Sequence, residues 1–263
     1  MIYIATHKEF CNPNLENYIP LQVGAEGKKP LGYLVDNVGD NISNKNQNFC
    51  ELTGLYWIWK NCSDDYKGIV HYRRFFGKSN FSNSIKDVYT YEQLISMLDT
   101  ADIILPFVEI FKQDAKNELL LQCCTKSIFE NLERIIKSKY PEYSRSFDEY
   151  FSCNESMLFN MMFCKKELFD QYCSWLFDIL FELEKYVDLN ELNDYQKRLY
   201  GFLSERLLNI WVRENKVIIK NVPVVNIDMS LWDRLTLIRR RITNKVFWKI
   251  KTLKVNKKQE YIE

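Results

Sequence analysis

The chain has 263 residues, 46% of them apolar and 15% aromatic, and its 36 Lys and Arg against 35 Asp and Glu leave a net charge of +1. These values exclude a disordered, collagen-like or peptide-sized protein and fit one large domain or two small ones. Near-neutrality argues against a dedicated nucleic-acid binder, and only 8 Gly and 6 Pro favour long packed elements, chiefly helices, over a loop-rich β-sandwich.

Residues 2–6 form a short β-branched and aromatic run that stops at His7, as the first buried strand of an α/β sheet would. Residues 11–47 are rich in Asn, Gly, Pro and Asp; only 31–35 reads as a strand there, so the segment is expected to be a long ligand-facing connection. Phe49, Leu52, Leu55, Tyr56 and Trp59 then recur at helical spacing and predict one amphipathic helix over 48–61. A second buried strand is expected at 68–71, a short helix at 91–99 and a third strand at 101–105. This alternation is characteristic of parallel βαβ units.

Residues 113–150 read as helical with a break at Pro141, and the apolar run 157–163 as a further strand. The best helix is 165–186, where Leu168, Phe169, Tyr172, Trp175, Leu176, Ile179, Leu180 and Leu183 recur every three or four residues. Another helix is expected at 195–214, and one or two closing strands at 217–225. Beyond Leu231 the composition changes: 233–258 holds ten Lys and Arg and a single acid, with Leu235, Ile238, Ile242, Val246, Ile250 and Leu253 at helical spacing. This predicts a basic amphipathic helix, and the chain divides into a body of 1–232 and a tail of 233–263.

The eight cysteines include no C-x-x-C pair and read as reduced, mostly buried thiols of a cytosolic protein. Adjacent Cys123 and Cys124 have poor geometry for a metal or disulfide and are expected in the core. The opening residues lack the basic and apolar pattern of a signal peptide, and no run reaches the length of a membrane span.

Both histidines, His7 and His71, fall where strands are expected to end, and ligands of open α/β sheets bind at such ends. Arg73 and Arg74 follow the second strand directly. Two guanidinium groups there suit a diphosphate clamp, or equally a surface pair bridged to acids. The segments 20–25 and 39–46 concentrate amide and small side chains that could hold hydroxyl-rich or nucleobase groups, with Asp40 accepting from ribose; turns and a helix cap explain them too.

PLQVGA, DNIS-x-KN, FCELTGLYWIWKN, GIVHYRRFF, CSWLFDILFELEK and YGFLSERLLNIW, in this order and spacing, resemble a family of bacterial capsular and exopolysaccharide biosynthesis proteins, over about residues 1–226. That family, long labelled a domain of unknown function, is regarded as glycosyltransferases of GT-A type, some transferring galactofuranose. The resemblance implies a GT-A-like, Rossmann-like α/β fold, a mostly parallel sheet flanked by helices with a helical C-terminal portion. It also implies donor and diphosphate binding by Thr6, His7, Gln22, Asp40, Asn41, Lys45, His71, Arg73 and Arg74.

GT-A folds commonly present an Asp-x-Asp motif that holds a divalent metal on the donor diphosphate. This sequence has none. His71-Tyr72-Arg73 stands at the corresponding place, so fixed cations are expected to stabilise the leaving diphosphate; no cofactor is called for and metal dependence is left open. For an inverting transfer the candidate bases are Glu155 and Glu205, the latter equally readable as a structural ion pair with Arg206. The segment 112–130 departs from the family by lacking histidine, which puts the sugar or acceptor in doubt.

The expected function is therefore transfer of a hexose, galactose or galactofuranose among the candidates, from a nucleoside-diphosphate sugar, UDP-sugar favoured, to a lipid-linked glycan acceptor. The alternative is a non-catalytic nucleotide-sugar or glycan-binding protein on the same scaffold. The basic tail predicts peripheral attachment at the cytoplasmic face of the cell membrane, with no nucleic-acid partner; a C-terminal helix packed on the body is the competing reading.

Overall fold

A computed structural model describes residues 1–259, with side chains described through Phe247. The side chains of Ile250 and Leu253, expected on the tail's apolar stripe, and residues 260–263 lie outside what is described.

The first half of the chain lays down strands β1 (Ile2–Thr6), β2 (Tyr18–Gln22) and β3 (Leu34–Val35), helices α1 (Asn46–Phe49) and α2 (Leu52–Asn61), strands β4 (Tyr66–His71) and β5 (Arg74–Phe76), helix α3 (Tyr91–Met97), and strands β6 (Ile103–Pro106) and β7 (Val108–Ile110). The second half adds α4 (Ala115–Gln122), α5 (Lys126–Lys139), α6 (Ser144–Ser152), β8 (Glu155–Met157), β9 (Met162–Lys165), α7 (Lys166–Glu184), α8 (Leu199–Glu214), β10 (Ile219–Val222), β11 (Val224–Asn226) and α9 (Leu231–Gln259).

The main sheet runs β10-β6-β9-β4-β1-β2-β3. Within that path only β9 opposes the others, so the α/β architecture with a mostly parallel sheet holds. β5 turns back from β4 at His71↔Arg74 and pairs with β11. Alternate residues of β1 enter opposite cores: Tyr3 and Ala5 pack with the helices α2, α5, α6, α7 and α8, whereas Ile2 and Ile4 pack with Phe75, Phe76, Leu94 and Val225. Burial on both faces is why this strand and residues 68–70 of β4 read as apolar runs; Lys67, earlier on β4, is buried by pairing with Asp170.

Three expectations fail for local reasons. Residues 11–47 contain a full strand, β2, hidden by Pro20. The backbones of Asn17 and Val23 bond β1, so by alternation Pro20 faces the other side, where β3 reaches only Leu21 and Gln22. Its missing N–H therefore costs no ladder bond. The helix expected at 48–61 is two helices, broken at Cys50, which holds φ +52°. The run 157–163 is not one strand: Phe159 and Asn160 adopt φ +78° and +50° and turn the chain between β8 and β9. The helical region 113–150 also breaks at Cys123, before the expected break near Pro141.

Cys123, Cys124, Cys164 and Cys173 are buried and all eight cysteines are unbridged. Among the described residues no helix is long and apolar enough to cross a membrane.

Candidate active site

From β1 the chain moves outward through β2 and β3, then returns to add β4 on the other side of β1. The carboxyl ends of β1 and β4 therefore flank the point where strand order reverses, and the splayed connections leave a crevice there. A cleft of about 620 Å³ opens at this place, bordered by Thr6, His7, His71, Tyr72, Arg73, Arg74 and Glu205. The structure thus gathers six of the residues singled out in the sequence around one cavity.

The arginines sit at the tight β4–β5 turn. Arg74 lies over the Phe159 ring at 4.7 Å and Arg73 over Tyr72 at 5.5 Å, and both are half-buried. Among the described residues neither guanidinium has a carboxylate within ion-pair distance, so the salt-bridged surface pair is not what forms. Burial, then the adjacent Arg73 charge, pushes the Arg74 pKa down. Arg198 adds a third cation at the cleft wall, with its Nε directed to the Cys50 thiol at 3.5 Å.

The histidines respond to this field. Burial pushes the His7 pKa down, and the cations Lys8, Lys28, Arg73 and Arg198 push the same way. His71 is pushed down first by burial, with Arg74 and Arg73 adding to it, against Glu51 and a backbone carbonyl. Its Nε2 bonds the Phe159 carbonyl; since a carbonyl only accepts, that nitrogen carries the proton. A neutral, oriented imidazole results.

Two carboxylates face this cationic cleft. Glu205 accepts from the Phe159 N–H at 2.7 Å and from Arg206 Nη1 at 2.7 Å, and Arg206 also donates to Gln122 Oε1 at 2.7 Å. Both Glu205 oxygens are thus engaged. Burial nevertheless raises its pKa, opposed by Arg206 and reinforced by Glu51. Glu51, at the start of α2, accepts from Asn160 Nδ2 at 2.7 Å through Oε1; among the described residues its Oε2 has no hydrogen-bond partner. Asn160 is itself fixed by the Ser204 hydroxyl and the Gly201 carbonyl.

Five expected site residues are placed elsewhere. Gln22 is buried and ties down its own loop, donating to the Lys29 carbonyl and accepting from the Leu31 N–H. Asp40 is exposed and accepts from the Tyr56 hydroxyl at 3.0 Å; burial and this carboxylate push the Tyr56 pKa up to about 12. Asn41 makes a local turn, accepting from Ser43 and donating to Gly39. Lys45 pairs with Glu184. Glu155 stands on β8 and borders a separate cavity with Asn209 and Lys216. The amide-rich segments therefore act mainly as turns. Their anchor is buried Asp36, which accepts from the Gly24 and Ala25 N–H groups at 2.7 and 2.9 Å and from the Ser43 hydroxyl. Gly24 has φ +60°, and a Cβ there would meet Asn46 at 2.2 Å, which explains a glycine in PLQVGA.

Glu51, Arg198, Gln122 and Phe159 were not foreseen. Glu51 and Phe159 lie in apolar runs that read as regular elements, so only the backbone breaks at Cys50 and Phe159 expose them. Arg198, two residues before YGFLSERLLNIW, had charge alone as a signal.

Residues 1–216, well over half the chain, match the protein family described as "Domain of unknown function (DUF4422)". The chain belongs to the DUF4422 family. A solved structure titled as the apo form of the WbbM bifunctional glycosyltransferase resembles this DUF4422 chain with a TM-score of 0.76 and 27% sequence identity. The similarity covers 87% of this chain and 45% of that one, so the chain spans less than half the length of the protein it matches. The mixed α/β architecture is that of a glycosyltransferase fold. No curated protein matches.

Proposed function

We propose that the chain is a glycosyltransferase of GT-A type that moves a hexose, galactose in furanose or pyranose form being the leading candidate, from a UDP-sugar to a lipid-linked saccharide in capsular or cell-surface polysaccharide synthesis. The observation that carries this reading is the pair of half-buried guanidinium groups, Arg73 and Arg74, at the strand-order reversal, which have no ion pair among the described residues. Such a pair can hold a diphosphate bidentately and meet the charge that develops on its oxygen as the glycosidic bond breaks. His7, just past the end of β1, is exposed and available for the nucleoside, whereas buried Thr6 spends its hydroxyl on the Lys8 carbonyl and shapes the strand end. The named glycosyltransferase neighbour supports the same class.

For an inverting transfer, Glu51 is better suited than Glu205 to take the acceptor proton. One of its oxygens is fixed by Asn160 and, among the described residues, the other is uncommitted, whereas both oxygens of Glu205 are engaged, by Phe159 and Arg206. Glu51→Gln is expected to lower kcat about 10²-fold or more, the usual scale of a lost general base, with nucleotide affinity little changed; an equal loss of both would assign Glu51 to donor binding instead.

The experiment that tests the reading is a thermal-shift screen of nucleoside-diphosphate sugars followed by product analysis, with EDTA and with manganese. Stabilisation by UDP-sugars and transfer that persists in EDTA are expected, because fixed cations serve the diphosphate. Activity lost in EDTA and restored by manganese would overturn the metal-free mechanism, and binding without any turnover would favour a non-catalytic sugar-nucleotide protein.

Membrane attachment belongs to the same proposal. On α9 the polar side meets the body: Arg240 and Arg241 bond Glu109 at 3.1 and 3.7 Å, and Asn244 donates to the Ile110 carbonyl at 2.9 Å. Leu231, Leu235, Ile238, Ile242 and Val246 are all exposed, at i, i+4, i+7, i+11 and i+15. A helix packed for stability alone would bury that stripe. An apolar stripe with basic flanks suits an anionic bilayer surface, where each Lys or Arg contributes about 1 kcal/mol. Vesicles containing phosphatidylglycerol should sediment the full chain and not one ending at Leu231; equal sedimentation of the two would remove this part.

A further inference from the structure

A second cavity, of about 310 Å³, lies between α9 and the β5–β11 and β7 segments. It falls within the range of about 300–1,000 Å³ usual for small-molecule sites. Arg74 and Phe159 border both this cavity and the cleft. The two spaces are thus separated by one guanidinium stacked on one ring, 4.7 Å apart. A transfer reaction needs two ligands that meet at one atom, and this is the only wall the two cavities share among their described lining residues.

The lining has the chemistry of a saccharide site. Phe107, Phe159 and Leu237 offer apolar surface for the C–H face of a sugar ring. Asn80 and Asn226 use their Oδ1 atoms to hold the Val224 and Asp228 N–H groups. Among the described residues, the Nδ2 groups of both and the Thr236 hydroxyl have no hydrogen-bond partner. Directional donors beside apolar rings recognise hydroxyl-rich ligands. Buried Glu109 draws Arg240 and Arg241 onto it, and so keeps α9 over the cavity as its outer wall.

We infer that this cavity binds the acceptor saccharide, with its nucleophilic hydroxyl reaching the cleft past Arg74 and Phe159, and that α9 is part of the acceptor site as well as the surface facing outward. The inference rests on the glycosyl-transfer reading above. It adds a role for the tail that membrane attachment does not supply: a chain lacking α9 should fail with detergent-dispersed acceptors that need no membrane.

The test uses the full chain with octyl β-galactoside and octyl N-acetyl-β-glucosaminide as probes, read by saturation-transfer NMR, with UDP-induced thermal shift measured in parallel. Thr236 is exposed on α9, so Thr236→Trp fills the cavity without burdening the core. It is expected to abolish the glycoside signal while the UDP-induced shift is retained. Thr243→Trp, elsewhere on the same helix, controls for the added ring and should leave the glycoside signal in place. Glycoside binding that survives Thr236→Trp, or that neither glycoside shows with the unaltered chain, would overturn the inference. Absence of any UDP-induced shift in the unaltered chain would instead overturn the donor reading on which it rests.

Discussion

Arg73→Ala is expected to reduce kcat/KM for sugar transfer by about 10²–10³-fold, the scale of losing one preorganised charge donor at a reacting centre. The argument is electrostatic. The body, residues 1–232, carries 26 basic and 32 acidic groups by count of the sequence, so an anionic donor approaches a molecule of its own sign. Arg73, Arg74 and Arg198 invert that sign locally; the pKa values of His7 and His71 are depressed first by burial, and Arg73 lowers both further, joined by Arg198 at His7 and by Arg74 at His71. Arg73 has no ion pair among the described residues, so its removal leaves no buried acid exposed and the fold should be unaffected. Steady-state kinetics with Arg239→Ala, in the tail, as reference would check it: a comparable loss in both variants would mean general charge, not a diphosphate clamp.

The second large effect concerns stability. The Arg206 side chain is only 2% exposed and holds Glu205 and Gln122 together. Arg206→Met strands the Glu205 carboxylate in a buried setting, and breaking such a pair costs about 3–5 kcal/mol. The pH dependence follows from the sign of the shift. Burial already raises the Glu205 pKa and Arg206 opposes it, so without Arg206 the folded chain binds the proton more tightly than the unfolded one. Stability relative to the parent should therefore recover as pH falls: the loss in Tm should be smaller at about pH 5 than at about pH 8. A deficit independent of pH would mean that lost packing, not stranded charge, dominates. A double change, Arg206→Met with Glu205→Gln, should restore much of the difference.

The parts of the fold that could be read from the chain are those where burial imposes a pattern. β1 and residues 68–70 of β4 are apolar where both faces are covered, and α7 repeats its apolar residues at helical spacing because one side packs into the core. What could not be read is backbone geometry without a compositional mark. Cys50 and Phe159 take positive φ, which is costly for such residues and is held by the surrounding structure; Asn160, next to Phe159, tolerates it more readily. Those breaks bring Glu51 and Phe159 to the cleft and let buried Asn160 hold Glu51. The position of His71, Arg73 and Arg74 at the cleft was legible because they follow a strand end directly, although a surface pair bridged to acids fitted the sequence equally. Glu205 with Arg206 was readable in two ways, and its geometry is that of the ion pair. Gln22, Asp40 and Asn41 show the limit of composition: polar side chains that could meet a ligand are taken up by their own loop or, for Asp40, by Tyr56 of α2.

The family match ends at residue 216, but the sheet does not. β10 covers the free side of β6, and the Asp102 carboxylate receives the Ile218 N–H at 2.8 Å just ahead of it. β11 does the same for β5, whose first residue is Arg74. A chain cut at the family boundary would expose two unpaired strand edges, each a template for strand addition by another molecule, one of them continuous with the arginine turn. The folded unit is therefore longer than the matched one: self-association and disturbance of the Arg73–Arg74 turn should arise together from a single misplaced terminus.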